Sequence, residues 1–334
     1  MKRRELVVGL ASLGAGAVLG RPAMGIPQDG SGASTRDSHL TGSSSVVVQV
    51  LGTAQDGGFP HAGCYCSNCT RARNDPRSAR RVASLGLYDL AEQRAFMVDA
   101  TPDFRPQLDL LHAGLESKAA DSRAVPDGIL LSHAHIGHYT GLIFLGFESL
   151  DARGVPTFCS EKMRAFLAGN HPWRFMVDRG NLDLRTVQAG DVVPLTPRLR
   201  VKPFTVPHRD ELSDTLGFIV SGPQRTLLYI PDIRNWDSWK DAFPEFVSQA
   251  DIALLDGTFF GPNELPVRDM SSIGHPLIED SMRILHGVAE KGKTRIAFTH
   301  LNHSNLALDP DSPERCAIYA AGFALAEERE ELYL

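Results

Sequence analysis

Six residues, His133-Ala134-His135-Ile136-Gly137-His138, follow directly on the apolar run Ile129-Leu130-Leu131-Ser132. Neutral imidazole binds zinc and iron well, and three rings at this spacing can converge on one ion. A strand that ends in a histidine-rich turn opening a helix leaves a coordination position free at the strand mouth. The stretch therefore predicts a catalytic metal site rather than a set of surface histidines.

From Val46 onward, short β-branched runs alternate with amphipathic segments, which predicts a layered α/β architecture. Strands are expected near 46–52, 83–88, 94–99, 129–132, 155–158, 199–206, 215–221, 226–231, 251–255 and 294–299. Helices are expected near 103–113, 138–147, 160–168, 238–248, 276–290 and 312–326. Three further ligand-type residues fall just past strand ends: His208, Asp232 and His300. Together with His133, His135 and His138 they make five histidines and one aspartate, enough for one or two metal ions sharing a bridging carboxylate.

This arrangement resembles the metallo-β-lactamase superfamily, whose His-x-His-x-Asp-His motif is matched at 133–138 with Gly137 in place of the aspartate. The likeness is strongest to the coenzyme PQQ synthesis protein B family. It is weaker to the phosphonate-pathway cyclic phosphodiesterases, which share a cysteine insert. It rests also on Leu51-Gly52-Thr53-Ala54-Gln55-Asp56-Gly57-Gly58-Phe59-Pro60, on the cysteine cluster, on Ile273-Gly274-His275 and on Leu308-Asp309-Pro310-Asp311-Ser312-Pro313-Glu314-Arg315. The resemblance implies an αββα sandwich of two mixed β-sheets flanked by helices, as one domain over 46–334. It implies His133, His135 and His208 at a first metal site, Asp232 as bridge, and His138 and His300 at a second site that lacks its usual carboxylate. Asp56, in a glycine-rich loop bordering the metals, is a candidate to replace that carboxylate in part. His275 is expected to begin a helix, either as a general acid touching the substrate or as a capping residue.

Cys64-Tyr65-Cys66-Ser67-Asn68-Cys69 places three thiols within six residues. Three thiolates and one histidine make a closed, structural zinc site; a disulfide with one spare thiol is the alternative. By resemblance to the phosphodiesterases, Thr299-His300-Leu301-Asn302-His303 nominates His303 as the fourth ligand, with His275 competing. Cys159 and Cys316 read as ordinary buried residues. His61, His112, His171 and His286 have no partner evident in the sequence.

Lys2-Arg3-Arg4 precede a short apolar stretch, Val7 to Gly20, and residues 1–25 read as an export signal of the twin-arginine type. Residues 26–45, rich in Gly, Ser, Thr and Asp, read as a disordered linker. The mature protein is then expected in the periplasm or secreted, with no stable membrane span. A net charge of −6 and the lack of a basic stripe interleaved with aromatics argue against nucleic acid as a partner. The expected partner is a small-molecule or short peptide substrate.

Three functions fit this reading. The first is an exported hydrolase of phosphodiester or ester-like substrates that uses one or two active-site ions, Zn or Fe, with Asp232 orienting the attacking water and His275 assisting. The second, implied by the PQQ resemblance, is iron-dependent oxidative maturation of a cofactor. The third is a periplasmic protein that binds or transports PQQ or a precursor.

Overall fold

Side chains of a strand alternate between its two faces, and here the alternation sorts one chain into three apolar layers. In β1 (Val46–Gly52), Val46, Val48 and Val50 enter the central layer, whereas Val47 and Leu51 enter an outer one. The computed structural model describes residues 45–334 except 114, 116–123, 240 and 266–273. The export signal expected at 1–25, and all but the last residue of the linker expected at 26–45, lie outside the described residues.

Five strands follow β1: β2 (Ser84–Asp89), β3 (Arg94–Val98), β4 (Ile129–Leu130), β5 (Val155–Cys159) and β6 (Leu182–Thr186). The next seven are β7 (Val193–Pro194), β8 (Arg200–Val206), β9 (Thr215–Ser221), β10 (Thr226–Ile230), β11 (Ile252–Asp256), β12 (Arg295–Thr299) and β13 (Ala324–Leu325), with β14 (Glu331–Tyr333) last. They form two seven-stranded sheets, ordered β14-β1-β2-β3-β4-β5-β6 and β13-β12-β11-β10-β9-β8-β7. Both sheets are mixed and share a plan. An antiparallel run, β1-β2-β3 or β7-β8-β9-β10, gives way to parallel strands, β3 to β6 or β10 to β13.

The central layer lies between the sheets, where Leu85, Leu87, Phe96 and Val98 face Phe218, Leu227, Tyr229, Ile252 and Leu254. The alternate residues of each sheet are covered by helices. α2 (Phe104–Ala113), α4 (Glu161–Gly169) and α5 (Trp173–Asp178) pack on the first sheet through Phe104, Leu111, Met163, Leu167 and Met176. α6 (Phe243–Ser248), α7 (Ile278–Lys291) and α8 (Pro313–Ala320) pack on the second through Phe243, Val247, Ile278, Leu285 and Ile318. The αββα sandwich and its two mixed sheets are as expected. Strands covered on both faces read as nearly continuous apolar runs, which is why they were legible.

The two remaining helices among the described residues, α1 (Ser67–Asn74) and α3 (Ile136–Tyr139), carry chemistry-bearing residues. Several expectations need correction. The helix expected over 138–147 is the four-residue α3 followed by 3₁₀ turns over 140–145. The cysteine segment, which reads from the sequence as a loop after the glycine-rich stretch, is partly helical, because Cys66 caps α1 and Cys69 lies within it. The helix expected over 312–326 stops at Ala320, since Gly322 turns the chain at φ 81° toward β13. Cys316 is exposed, whereas Cys159 is buried.

Gly141 sets how closely the histidine turn docks on the end of β3. Its N–H donates to Ala100 O at 2.9 Å. A Cβ built there would lie 2.1 Å from Thr101 O and 2.7 Å from Phe104 Cβ. Gly141→Ala is therefore expected to destabilise the fold by about 1–3 kcal/mol through overpacking, read as a lower midpoint in urea unfolding.

Candidate metal centre

Apart from His275, the chemistry-bearing residues of the centre stand at or after the C-terminal end of a strand. Asp56 follows β1, Asp99 follows β3, the histidine turn follows β4, His208 follows β8, Asp232 follows β10, Asp256 ends β11 and His300 follows β12. The sandwich brings the strand ends of both sheets to one edge, so residues up to 244 positions apart meet.

The first group is His133, His135, His208 and Asp232. His133 Nε2 lies 2.9 Å from His135 Nδ1, which lies 3.2 Å from His208 Nε2. Asp232 Oδ2 is 3.3 Å from His133 Nε2, 3.2 Å from His208 Nε2 and 3.8 Å from His135 Nδ1. Four donors around an ion with bonds of about 2.0–2.1 Å would be separated by roughly 3.3 Å. The group fits one metal ion.

The second group is Asp56, His138 and His300, with Asp232 beside it. His138 Nε2 and His300 Nε2 lie 3.3 and 3.6 Å from Asp56 Oδ1, and each is 4.0 Å from Asp232 Oδ2. Asp232 thus faces both groups, the position a bridging carboxylate needs. Its pKa responds to opposing influences. Burial alone would raise it, but the charge on His275 and its contacts with His133, His135 and His208 hold it well below the usual carboxylate range.

Outer residues fix which ring nitrogen points inward. Asp99 is fully buried and accepts from Ser132 N at 2.7 Å, Ser132 Oγ at 2.8 Å and His138 Nδ1 at 2.7 Å. With the Ser132 hydroxyl proton committed to Asp99, His133 Nδ1–H donates to Ser132 Oγ at 3.0 Å. In the second sheet, Thr258 Oγ1 donates to Asp256 Oδ1 at 2.7 Å and accepts from His300 Nδ1 at 3.0 Å. These donor chains assign the proton to Nδ1 of His133, His138 and His300, which leaves each Nε2 lone pair facing the centre. His135 is turned the other way: Arg209 Nη2 lies 3.1 Å from its Nε2, and Nδ1 faces inward.

His275 does not begin a helix. It lies in the turn before α7, three residues ahead of Ile278. Its Nδ1 is 2.9 Å from Asp256 Oδ2, 3.1 Å from Thr258 Oγ1 and 3.3 Å from Asp232 Oδ1. Burial pushes its pKa down, but Asp256 and Asp232 outweigh burial and bring it to about 9. Asp256 also receives the N–H of Ile233 and of Thr258. Its lone pairs are committed, so it orients His275 rather than serving as a ligand.

The thiols gather elsewhere. Cys64, Cys66, Cys69 and His303 form one group, with His303 Nδ1 3.5 Å from Cys64 Sγ and 3.7 Å from Cys66 Sγ. All five cysteines are free, so no disulfide competes. His275 belongs to the other centre, and the alternative that made it the fourth partner of these thiols is excluded. Burial pushes the Cys69 thiol up to about 12, while the backbone N–H of Cys66 lowers that of Cys64. His61, for which no partner was evident in the sequence, donates its backbone N–H to Cys69 Sγ at 3.3 Å and packs its ring 4.4 Å from that of His303.

Asp99, Asp256, Thr258 and Arg209 were also missed. The first two stand at strand ends in Met97-Val98-Asp99 and Leu254-Leu255-Asp256, the placement that singled out Asp232, and could have been found by the same rule. Two strand-end residues, Asp99 and His300, sit at φ 66° and 61°, a region L-residues seldom enter. For His300 the conformation is imposed from both sides, by Leu301 N donating to Thr53 O at 2.8 Å and Asn302 N donating to Thr258 O at 3.0 Å.

Residues 94–301 match the Beta-lactamase superfamily domain. Coenzyme PQQ synthesis protein B of Pseudomonas savastanoi pv. phaseolicola is 29% identical over 302 residues, which span 82% of this chain and 95% of that protein. Zinc-bound PqqB from Methylobacterium extorquens has the same fold, with a TM-score of 0.72 at 22% identity, covering 86% of this chain and 100% of that one. A diphosphatase of the PhnP family aligns with a TM-score of 0.58 at 23% identity, covering 86% and 96%.

Proposed function

The chain belongs to the beta-lactamase superfamily, and on that footing we propose that it is a metal-dependent hydrolase of small phosphodiester or ester-like substrates, acting outside the cytoplasm. The observation that carries this reading is the convergence of His133, His135, His208 and Asp232 with ligand atoms 2.9–3.8 Å apart. A zinc or iron ion held there supplies a Lewis acid and lowers the pKa of a water toward neutrality.

The rest is done by the chain itself. Ser132, Asp99, Thr258 and Asp256 hold the rings in the tautomers described. Arg209, at the exposed rim beside His135, gives an anionic substrate a cation to dock against. His275 is pinned through Nδ1, so Nε2 is the nitrogen that can hand a proton to a leaving group. The thiol group with His303 fits a structural zinc with no open position.

A second reading, oxidative maturation of a quinone cofactor, is favoured by the similarity to coenzyme PQQ synthesis protein B along nearly its whole length. Imidazoles with a carboxylate suit ferrous iron equally. The deciding experiment incubates the zinc-loaded and iron-loaded protein with a panel of phosphodiesters and esters, and separately measures oxygen uptake with peptide or quinone precursors. Hydrolysis lost on chelation and regained on adding metal is expected. An inert panel with the centre fully loaded overturns the hydrolase reading, and substrate-dependent oxygen uptake replaces it with the second.

A further inference from the structure

We propose that Gly137 is not an eroded ligand position but the space into which Asp56, from the loop after β1, brings the carboxylate of the second metal site. The inference rests on the metal-centre reading and assigns this chain a ligand set of Asp56, His138 and His300, with Asp232 shared.

Three independent observations carry it. First, a Cβ built on Gly137 would lie 2.2 Å from Asp56 Oδ1 and 2.8 Å from Asp56 Cα and Cγ. Any side chain at 137, an aspartate included, would occupy the volume that Asp56 now fills. The glycine and the carboxylate are two halves of one exchange.

Second, Asp56 Oδ1, His138 Nε2 and His300 Nε2 are all buried, and none of them makes a hydrogen bond. They face one another at 3.3 and 3.6 Å. Buried polar atoms are nearly always partnered, so three such atoms converging on one point indicate a missing common partner. The opposite nitrogens of both rings are already engaged, by Asp99 and Thr258. A cation coordinated by all three atoms satisfies them together.

Third, Asp56 is held in place by its neighbours. Gln55 N donates to Leu301 O at 2.9 Å, Asn302 Nδ2 donates to Gln55 Oε1, and Gly58 N donates to Gln55 O at 2.8 Å. The loop after β1 is thereby tied to the residues that flank His300, so the carboxylate and one of its two rings are positioned by the same contacts.

The test counts ions in the full-length folded protein by plasma mass spectrometry after zinc loading and dialysis, with zinc titration calorimetry on the apoprotein. Wild type is expected to hold three zinc ions, one with the thiols and two at the centre. Asp56→Ala is expected to hold two. Gly137→Ala, which removes no ligand but displaces the carboxylate, is expected to lose the same ion while keeping a cooperative thermal transition. Three ions retained in Asp56→Ala overturn the proposal and leave the metal-centre reading standing. Two ions in wild type, one of them lost in His133→Ala, do the same. A single ion in wild type, unaffected by His133→Ala, overturns the reading and the proposal together.

Discussion

Replacing His133 by alanine is expected to abolish hydrolysis and to release one ion from the centre. The His133 ring is buried, its Nδ1 is committed to Ser132, and its Nε2 touches both His135 and Asp232. No other described side chain is placed to take over that corner of the group. Loss of an outer partner of a ligand typically costs about 10–100-fold in affinity or activity; loss of the ligand itself should exceed the upper end. The check is steady-state turnover on the best substrate of the panel, with the ion count measured on the same sample. Retained turnover at the wild-type ion count would refute the assignment. The fold should tolerate the change, because alanine leaves the strand-end backbone contacts in place.

Asp99→Asn should produce nearly as large a loss without touching a ligand. The Ser132 N–H takes the amide oxygen, which turns the amide nitrogen to His138 Nδ1; that nitrogen donates and cannot accept, so the ring is driven to the tautomer with its proton on Nε2, the atom facing Asp56. A protonated nitrogen has no lone pair for a metal. Asparagine tolerates the φ of 66° at this position, so the chain is expected to fold. Metal affinity at the second site should fall by about 10–100-fold, while the ion held by His133, His135 and His208, which Asp99 reaches only through Ser132 Oγ and His133, should weaken less. Zinc titration of the apoprotein resolves the two. Equal weakening of both sites would mean that Asp99 braces the whole histidine turn rather than one ring.

The layered fold could be read from the sequence because its central strands are covered on both faces. Short apolar runs at 46–52, 215–221 and 226–231 leave little choice of structure. The strands that were missed lie at or next to sheet edges. Leu182-Asp183-Leu184-Arg185-Thr186 pairs on one side only and carries charge, and the strands at 193–194, 324–325 and 331–333 are too short to show a period. For the centre, the histidines were visible because imidazole clusters are chemically unusual. Asp99 and Asp256 stand at strand ends as Asp232 does, so the same rule could have nominated them, but only the fold shows which ring each faces. His61 shows the same limit. Its role at the thiols comes from its backbone N–H and from a ring contact with a residue 242 positions away.

The place of β14 bears on when this protein can mature. Of the described strands it is synthesised last, after every strand of the second sheet, yet it pairs with β1 in the first: Val47 opposite Tyr333, Val48 opposite Leu332 and Gln49 opposite Glu331. Arg329 N and Leu334 N donate to Val50 O and Val46 O on the same edge. Until those residues leave the ribosome, the first strand is an open template for any other extended chain. The loop after it, which carries Asp56, stands on an incomplete support. A nascent chain halted short of residue 329 would already contain every histidine of the centre, but on a sandwich whose opening strand had no partner on one side.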